Sequence, residues 1–162
     1  TYAVLGGCRL EPIRRVLTTF PGLEHALEVV RERRGVRFVN DSKGTNVDAT
    51  LKALESIDQP IWLIAGGRDK GGDFSRLTQA LSRRVTRVIL IGEAAPLLRL
   101  AWAGVATITD AATLRDAVEL AAQEASPGDV VLLSPACASF DMFADYQDRG
   151  RQFKALVHAL PA

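Results

Sequence analysis

Three polar segments hold most of the residues whose types could do chemistry. The first, loop 1, spans residues 40–46 and reads Asn-Asp-Ser-Lys-Gly-Thr-Asn, which combines a carboxylate, an ammonium group and two hydroxyls. An anion could bind there, held by Lys43 and by the N-terminus of the helix that should follow. The alternative is that Thr45 or Asn46 caps this helix while Asp41 and Lys43 are only solvated.

The second segment, loop 2, spans residues 66–73 and reads Gly-Gly-Arg-Asp-Lys-Gly-Gly-Asp. Its glycines let the backbone approach a ligand closely, and Arg68 and Lys70 could meet a negative group. Neither the P-loop motif nor G-x-G-x-x-G occurs in the chain, so the sequence gives no sign of these two phosphate-binding motifs. A flexible turn with solvated charges is the alternative.

The third segment, loop 3, spans residues 134–141 and reads Ser-Pro-Ala-Cys-Ala-Ser-Phe-Asp. Ser139 and the free N–H groups of the next helical turn could receive a carboxylate, or Ser139 could be an ordinary helix cap. Cys137 invites a nucleophile hypothesis, but no His and acid partner can be placed beside it, so a small buried thiol is favoured. The spacing of Cys8 and Cys137 indicates neither a metal site nor a disulfide framework.

These loops need a scaffold, and the pattern of apolar residues predicts an α/β fold. Short apolar runs without strict polar alternation indicate strands that are covered on both faces, and segments of helical period alternate with them. We therefore expect a Rossmann-like, mostly parallel sheet with an N-terminal β-hairpin and flanking helices. The predicted hairpin strands are 27–31 and 36–39, the further strands are 61–65, 85–91, 105–108 and 130–133, and the helices after residue 46 are 74–81, 94–101, 112–122 and 141–160.

Individual residues refine this prediction. Thr45 and Asp48 resemble a capping box for the first of these helices, and Gly150 should lie on the packed face of the last one, close to the sheet. His25 should open the first strand, with a role in packing or at a domain boundary. Of the remaining candidates, we expect an exposed His158 and core positions for Trp62 and Trp102.

Composition narrows the classes of partner. The 162 residues include 20 Lys or Arg and 19 Asp or Glu, and the basic residues are scattered apart from Arg31–Arg34, so nucleic-acid binding is not expected. No apolar run is long enough for a membrane helix. We expect a cytoplasmic monomer. We expect residues 1–22 to form a separate helical segment that ends near Pro21, and we take Thr1 in place of Met as a sign of excision from a longer chain.

Taken together and in this order, the three loops closely resemble the C-terminal domain of the Mur ligase family, in particular its D-glutamate-adding members. The continuation through Phe143, Tyr146, Arg149, Gly150 and Phe153 fits as well, and the resemblance covers essentially the whole chain. It places the start of this domain at about residue 23, after a helix left from a preceding ATP-binding domain.

The resemblance implies a reaction and a set of roles. ATP and Mg²⁺, bound mainly by a domain missing here, would convert the carboxylate of UDP-N-acetylmuramoyl-L-alanine into an acyl phosphate, which the amine of D-glutamate would attack. The implied D-glutamate contacts are Thr45, Lys70, Ser139 and the backbone N–H near Tyr146. The implied nucleotide contacts are Asp41, Lys43 and His25, and no catalytic or metal-binding residue is expected in this chain.

Two departures and three alternatives accompany this resemblance. Ala26 stands where the family usually has an Arg that contacts the nucleotide, and Arg68 could compensate; Tyr146 stands where Phe is common. A sibling ligase that adds another amino acid or glutamates to folates is one alternative, although the Asp-Asn-Pro-Arg motif of the diamino-acid adders is missing. The others are a nucleotide-binding regulatory or oxidoreductase module and a catalytically silent interaction domain.

Overall fold

The chain alternates strands and helices around one sheet. The structure is a computed structural model that describes residues 6–7, 9–20 and 22–161, so the predictions for Cys8 and Pro21 lie outside the described residues. In chain order the elements are α1 (Leu10–Thr19), β1 (Glu28–Arg33), β2 (Val36–Asn40), α2 (Val47–Glu55), β3 (Ile61–Gly66), a 3₁₀ turn (Phe74–Leu77), α3 (Thr78–Arg84), β4 (Val85–Ile91), α4 (Ala95–Ala101), β5 (Thr107–Asp110), α5 (Leu114–Glu124), β6 (Val130–Leu133) and α6 (Tyr146–Ala159).

The six strands form one sheet in the order β1-β2-β6-β3-β4-β5. Only β1 is antiparallel, and it pairs with β2 as the predicted hairpin. The pairs β2–β6, β6–β3, β3–β4 and β4–β5 are all parallel. The predicted α/β architecture is therefore confirmed. Because β2, β6 and β3 are neighbours, the loops that leave their carboxyl ends must emerge side by side.

Helices cover both faces of the sheet, which explains the unbroken apolar runs. On one face α2, α3 and α4 bury Leu54, Leu81 and Leu98 against the strands. On the other face α5 and α6 bury Val118 and Phe153. Every residue of β3 is buried, as expected for a central parallel strand. The predicted core positions of Trp62 and Trp102 are confirmed, and His158 is exposed as predicted.

The arginine-rich hairpin has a structural role. The Arg31 guanidinium donates hydrogen bonds to the carbonyl oxygens of Val157, His158 and Leu160 at the end of α6. The Arg33 guanidinium likewise donates to the carbonyl oxygen of Ala122 near the end of α5. Helix C-termini expose unpaired carbonyl groups with partial negative charge, so these cations satisfy them and stabilise the helices.

Several predicted boundaries differ from the structure for local reasons. The last helix begins at Tyr146 rather than 141, because the Asp145 side chain caps it by accepting a hydrogen bond from the Asp148 N–H. The helix predicted at 74–81 is divided into the 3₁₀ turn and α3. The strand predicted at 105–108 begins two residues later, because the Val105 N–H closes a turn onto the Trp102 carbonyl.

Three predictions about single residues were wrong in detail. The capping box of Thr45 and Asp48 is absent, since the Asn46 side chain accepts the Ala49 N–H and caps α2. His25 does not open β1, which starts at Glu28. Gly150 is packed as predicted, but a Cβ there would lie 2.3 Å from Nδ1 of His25, so the close approach is to this ring and not to the sheet.

Two glycines of loop 2 allow a matched test of the scaffold. Gly66 and Gly71 both have positive φ, at 124° and 79°, but a Cβ on Gly66 would lie 1.9 Å from the Ile91 carbonyl oxygen whereas one on Gly71 would meet nothing. We expect Gly66→Ala to lower the free energy of unfolding by at least about 3 kcal/mol, because clash and strain add. Gly71→Ala should cost about 1 to 2 kcal/mol from backbone strain alone.

Urea denaturation of both variants measures this difference. Equal losses for the two variants would contradict the close packing of the β3 terminus against β4.

Candidate functional site

The three loops converge at the carboxyl edge of the sheet. Loop 1 follows β2, loop 3 follows β6 and loop 2 follows β3, and these three strands are adjacent. The carboxyl edge of a parallel sheet is where ligands bind in open α/β folds. The structure therefore brings together segments that lie almost a hundred residues apart in the sequence.

Backbone hydrogen bonds join loop 3 to its neighbours on both sides. On the loop 1 side, the Ala136 N–H donates to the Gly44 carbonyl at 2.9 Å. On the loop 2 side, Arg68 and Ala138 exchange two bonds of 2.9 and 3.0 Å as an isolated antiparallel bridge. A Cβ on Gly67 would lie 2.1 Å from the Ala138 carbonyl oxygen, so this approach requires glycine. The loops consequently form one rigid unit.

A buried arginine on α6 also forms hydrogen bonds with loops 1 and 3. The Arg149 side chain, on α6, has no exposed surface. Its Nε donates to the Ser42 hydroxyl at 2.9 Å and its Nη2 to the Ser42 carbonyl at 3.0 Å, while longer contacts of 3.4 Å reach the Cys137 carbonyl. Burial lowers the pKa of Arg149 to about 10, partly opposed by the negative charge of Asp141. The guanidinium thus joins α6 to loops 1 and 3.

Sequence reasoning gave Arg149 no role, although a signal was present. The apolar stripe of α6 includes Phe153 and Val157, and Arg149 lies four residues before Phe153, on the same helical face. A charged residue at a core position of a helix needs buried partners. Its spacing therefore indicates a polar contact inside the fold.

A cleft opens between loops 1 and 2. It has a volume of about 420 Å³, and its lining includes Thr45, Lys70, Asp69, Arg76 and Ala136. The structure thus brings together two of the predicted D-glutamate contacts, which lie 25 positions apart in the sequence. Lys70 is exposed and forms no ion pair with any described residue, so its ammonium group can meet a ligand carboxylate.

Hydrogen bonds and an ion pair shape the side of the cleft that loop 2 forms. The Asp69 carboxylate accepts hydrogen bonds from the N–H groups of Gly71 and Gly72 at 2.9 and 3.0 Å. These bonds close a tight turn that includes Lys70. Arg76, across the cleft, is paired with Asp48 at 2.6 Å. This pairing leaves Lys70 as the cation of the cleft without a carboxylate partner among the described residues.

Of the other two predicted D-glutamate contacts, Ser139 lies within loop 3 and Tyr146 follows that loop, and neither is part of this cleft lining. Ser139 is 2% exposed, and its carbonyl accepts hydrogen bonds from the N–H groups of Met142 and Phe143. Tyr146 begins α6, and its carbonyl accepts a hydrogen bond from the Ser42 hydroxyl at 2.8 Å. Its N–H is one of the first-turn donors that a helix leaves without an internal partner. The contact of Ser139 and Tyr146 with D-glutamate stays a prediction.

The three predicted nucleotide contacts lie together on the other side of loop 1. The Lys43 N–H donates to the His25 carbonyl at 3.0 Å. The buried Asp41 carboxylate accepts hydrogen bonds from the Ser134 hydroxyl at 2.7 Å and from the Leu27 N–H at 3.2 Å. Burial raises the pKa of Asp41, opposed by these two bonds. Asp41 therefore organises the loop, while the Lys43 side chain is exposed.

Two further predictions can be placed. Cys137 is 1% exposed, and burial raises its pKa to about 12, so it is the small buried thiol expected and not a nucleophile. The Arg68 guanidinium forms two hydrogen bonds of 3.0 Å with Glu93. This ion pair is exposed to solvent, and compensation by Arg68 for the arginine absent at position 26 stays a prediction.

The sequence of this chain is similar to the sequences of known ligases. The chain is 47% identical over 154 residues to a UDP-N-acetylmuramoylalanine–D-glutamate ligase of Chlorobaculum parvum, covering 95% of this chain and 33% of the relative. A ligase of the same name from Hahella chejuensis is 49% identical, over 95% of this chain and 35% of the relative. The chain thus spans about a third of the length of these curated relatives.

Solved structures agree with the fold. A bifunctional folylpolyglutamate synthase/dihydrofolate synthase from Yersinia pestis superposes with a TM-score of 0.66 at 20% identity, over 93% of this chain and 35% of that one. A pseudomurein peptide ligase type C from Methanothermus fervidus gives 0.64 at 13% identity, over 96% of this chain and 33% of that one. The family model described as "Mur ligase, glutamate ligase domain" matches residues 27–137. With that match across most of its length, the chain belongs to the Mur ligase family.

Proposed function

We propose that this chain is the amino-acid-binding domain of an ATP-dependent ligase that joins D-glutamate to UDP-N-acetylmuramoyl-L-alanine. The observation that carries the proposal is the cleft shared by Thr45 and Lys70, in a chain nearly half identical to ligases of that name. Under this proposal the domain holds the nucleophile of the reaction, in the cytoplasm where peptidoglycan precursors are assembled.

The chemistry sets the demand on the domain. D-Glutamate carries two carboxylates, and its amine must be neutral and must point at the acyl carbon that it attacks. Holding both carboxylates fixes the amine in space and converts a bimolecular step into an oriented one. Lys70 supplies a charge-assisted contact to one carboxylate, and the Thr45 hydroxyl supplies a second donor. Ser139 and the Tyr146 N–H are proposed for the other carboxylate.

The nucleotide end of the site is proposed to lie around Asp41, Lys43 and His25. The exposed Lys43 ammonium group, which forms no ion pair with the described residues, is suited to a phosphate or hydroxyl oxygen. No phosphate-binding GKT motif occurs in the sequence. ATP and Mg²⁺ would accordingly be held mainly by the part of the ligase that this chain does not include, with loop 1 closing over the nucleotide.

Helix α1 is proposed to belong to the preceding domain. Leu10, Val16 and Phe20 of this segment are 70%, 61% and 58% exposed, an apolar face that the described residues leave uncovered. Exposing apolar side chains to water is unfavourable in free energy, so we expect another domain to cover this face. The relatives are about three times as long as this chain, which leaves room for such a domain. The proposed boundary lies between residues 22 and 23.

Among the described residues, no helix is long and apolar enough to cross a membrane.

Limited proteolysis of the chain tests this boundary. We expect trypsin to cleave first at the exposed Arg14 and Arg15 of α1, because this helix lacks cover, and to leave a stable product that begins near residue 23. Mass spectrometry of the first stable fragment gives its ends. Cleavage within the α/β core before cleavage in α1 would contradict the proposed boundary.

Replacing Lys70 tests the D-glutamate assignment. In a full-length ligase that contains this domain, we expect Lys70→Ala to raise KM for D-glutamate by about tenfold or more, because one charge-assisted contact is lost. Lys52→Ala is the matched control, since Lys52 is an exposed lysine on α2 that pairs with Glu55. Unchanged D-glutamate kinetics in Lys70→Ala would refute the assignment.

The 162-residue chain alone is predicted to be inactive. Without the phosphate-binding part of the ligase, we expect no release of phosphate from ATP and no product from UDP-N-acetylmuramoyl-L-alanine and D-glutamate. A coupled phosphate assay with the full-length ligase as positive control measures this directly. Detectable turnover by the purified chain would show that the division of labour proposed here is wrong.

A further inference from the structure

The turn that enters the domain is strained and firmly held. His25 and Leu27 have φ of 64° and 49°, a left-handed conformation that costs free energy for residues other than glycine. Residues with such strain persist only where the surrounding contacts enforce it, and they occur often at functional sites. The imidazole of His25 is nevertheless buried, with 3% of the residue exposed.

Three hydrogen bonds fix the backbone of this turn. The His25 N–H donates to Oε2 of Glu28 at 3.0 Å, and the His25 carbonyl accepts the Lys43 N–H at 3.0 Å. The Leu27 N–H donates to Oδ1 of Asp41 at 3.2 Å. The turn is therefore anchored to the start of β1 and to loop 1, so the position of the His25 ring is set relative to Lys43 and Asp41.

Asn40 determines which ring nitrogen carries the proton. Its Oδ1 accepts the Ser42 N–H at 3.1 Å, which fixes the orientation of the amide. Its NH₂ group then donates to Oε2 of Glu28 at 3.1 Å and lies 2.9 Å from Nδ1 of His25. Because an amide NH₂ can only donate, Nδ1 must be the acceptor. In the neutral ring the proton is therefore on Nε2.

A lysine on α6 supports this arrangement. Nζ of Lys154 lies 2.7 Å from Oε1 of Glu28 and 3.0 Å from Oε1 of Glu24. Although burial raises the pKa of Glu28, the hydrogen bonds from Lys154 and from the His25 N–H bring it below its ordinary value. The ligand atoms of Glu24, His25 and Glu28 converge as they would around a metal ion, but the ammonium group of Lys154 already contacts both carboxylates and offsets part of their negative charge.

The surroundings of Nε2 indicate what it meets. Gly150 packs against the ring, close to Nδ1, and leaves no room there for a side chain. Nε2 lies 3.7 Å from Oε1 of Glu24, a glutamate whose side chain is 62% exposed, so this nitrogen of the buried ring is next to a carboxylate that reaches solvent. A carboxylate so near disfavours an anionic partner. An uncharged oxygen such as a hydroxyl can accept from Nε2 and donate to Glu24 together.

We infer that Asn40 is a positioning residue that fixes His25 as its Nε2–H tautomer, so that His25 donates a hydrogen bond to a hydroxyl oxygen of the nucleotide. Glu28 and Lys154 orient the Asn40 amide for this purpose. The inference rests on the proposed function for the identity of the ligand. The tautomer itself is a property of the chain alone.

Nuclear magnetic resonance of the 162-residue chain tests the tautomer without any substrate. With ¹⁵N-labelled histidine at a pH of about 8.5, where an ordinary imidazole is neutral, long-range hydrogen–nitrogen correlations show which nitrogen is protonated. We expect His25 to be protonated on Nε2 only, while the exposed His158 serves as internal reference for an unconstrained ring. A proton on Nδ1 of His25 would overturn the inference.

The variant Asn40→Asp should reverse the tautomer, because a carboxylate accepts and cannot donate. Asn40→Ala removes the donor without adding charge, and its His25 should resemble His158. Dispersion of the backbone amide signals shows whether each variant is folded. If Asn40→Asp does not fold, Asn40→Ala and the unaltered chain still decide, since a folded Asn40→Ala that keeps a pure Nε2–H ring would contradict the role of Asn40.

Kinetics of a full-length ligase that contains this domain test the consequence. We expect Asn40→Ala to raise KM for ATP about fivefold, as loss of one hydrogen bond implies, and to leave KM for D-glutamate within about twofold. Glu32→Gln, an exposed position on the same hairpin, is the matched control. An unchanged KM for ATP would overturn the nucleotide contact, but it would not affect the tautomer measured by NMR. If the Lys70 assignment failed, neither the tautomer of His25 nor the effect of Asn40→Ala on KM for ATP would change.

Discussion

The arrangement of the site depends on the hydrogen bonds of the buried Arg149 guanidinium. It lies inside the fold without exposed surface, and it donates to Ser42 in loop 1 and towards the Cys137 carbonyl in loop 3. A buried cation without these acceptors would be very unfavourable, so the two loops and α6 must be in place together.

The site therefore has two parts, a frame of internally hydrogen-bonded groups and a set of exposed charged side chains. The frame consists of paired backbone groups, such as the Arg68–Ala138 bridge, and of side chains such as Asp41 that are used up in internal hydrogen bonds. The groups proposed to meet substrate, the ammonium groups of Lys43 and Lys70, project from the frame into solvent. A site of this kind holds its geometry without ligand and spends little ordering entropy when one binds.

The sequence predicted the scaffold well because period and burial are local signals. The parallel strands, the hairpin and the packed positions of Trp102 and Gly150 followed from apolar spacing. Two kinds of feature could not be read. Thr45 and Asn46 are both good caps, and only tertiary geometry selected Asn46. The left-handed turn at His25 has no glycine at the strained positions that would predict it from sequence. It depends on a contact with Glu28 that follows no known turn motif and on a contact with Lys43 that is distant in the sequence.

The central claim is that loops 1 and 2 form the pocket for the amino acid that becomes the nucleophile. A crystal structure of a full-length ligase containing this domain, grown with D-glutamate, tests it most directly. We expect a carboxylate oxygen within about 3.2 Å of both Nζ of Lys70 and Oγ1 of Thr45, with Arg149 still bonded to Ser42. D-Glutamate bound elsewhere on the domain, with Lys70 left in solvent, would contradict it.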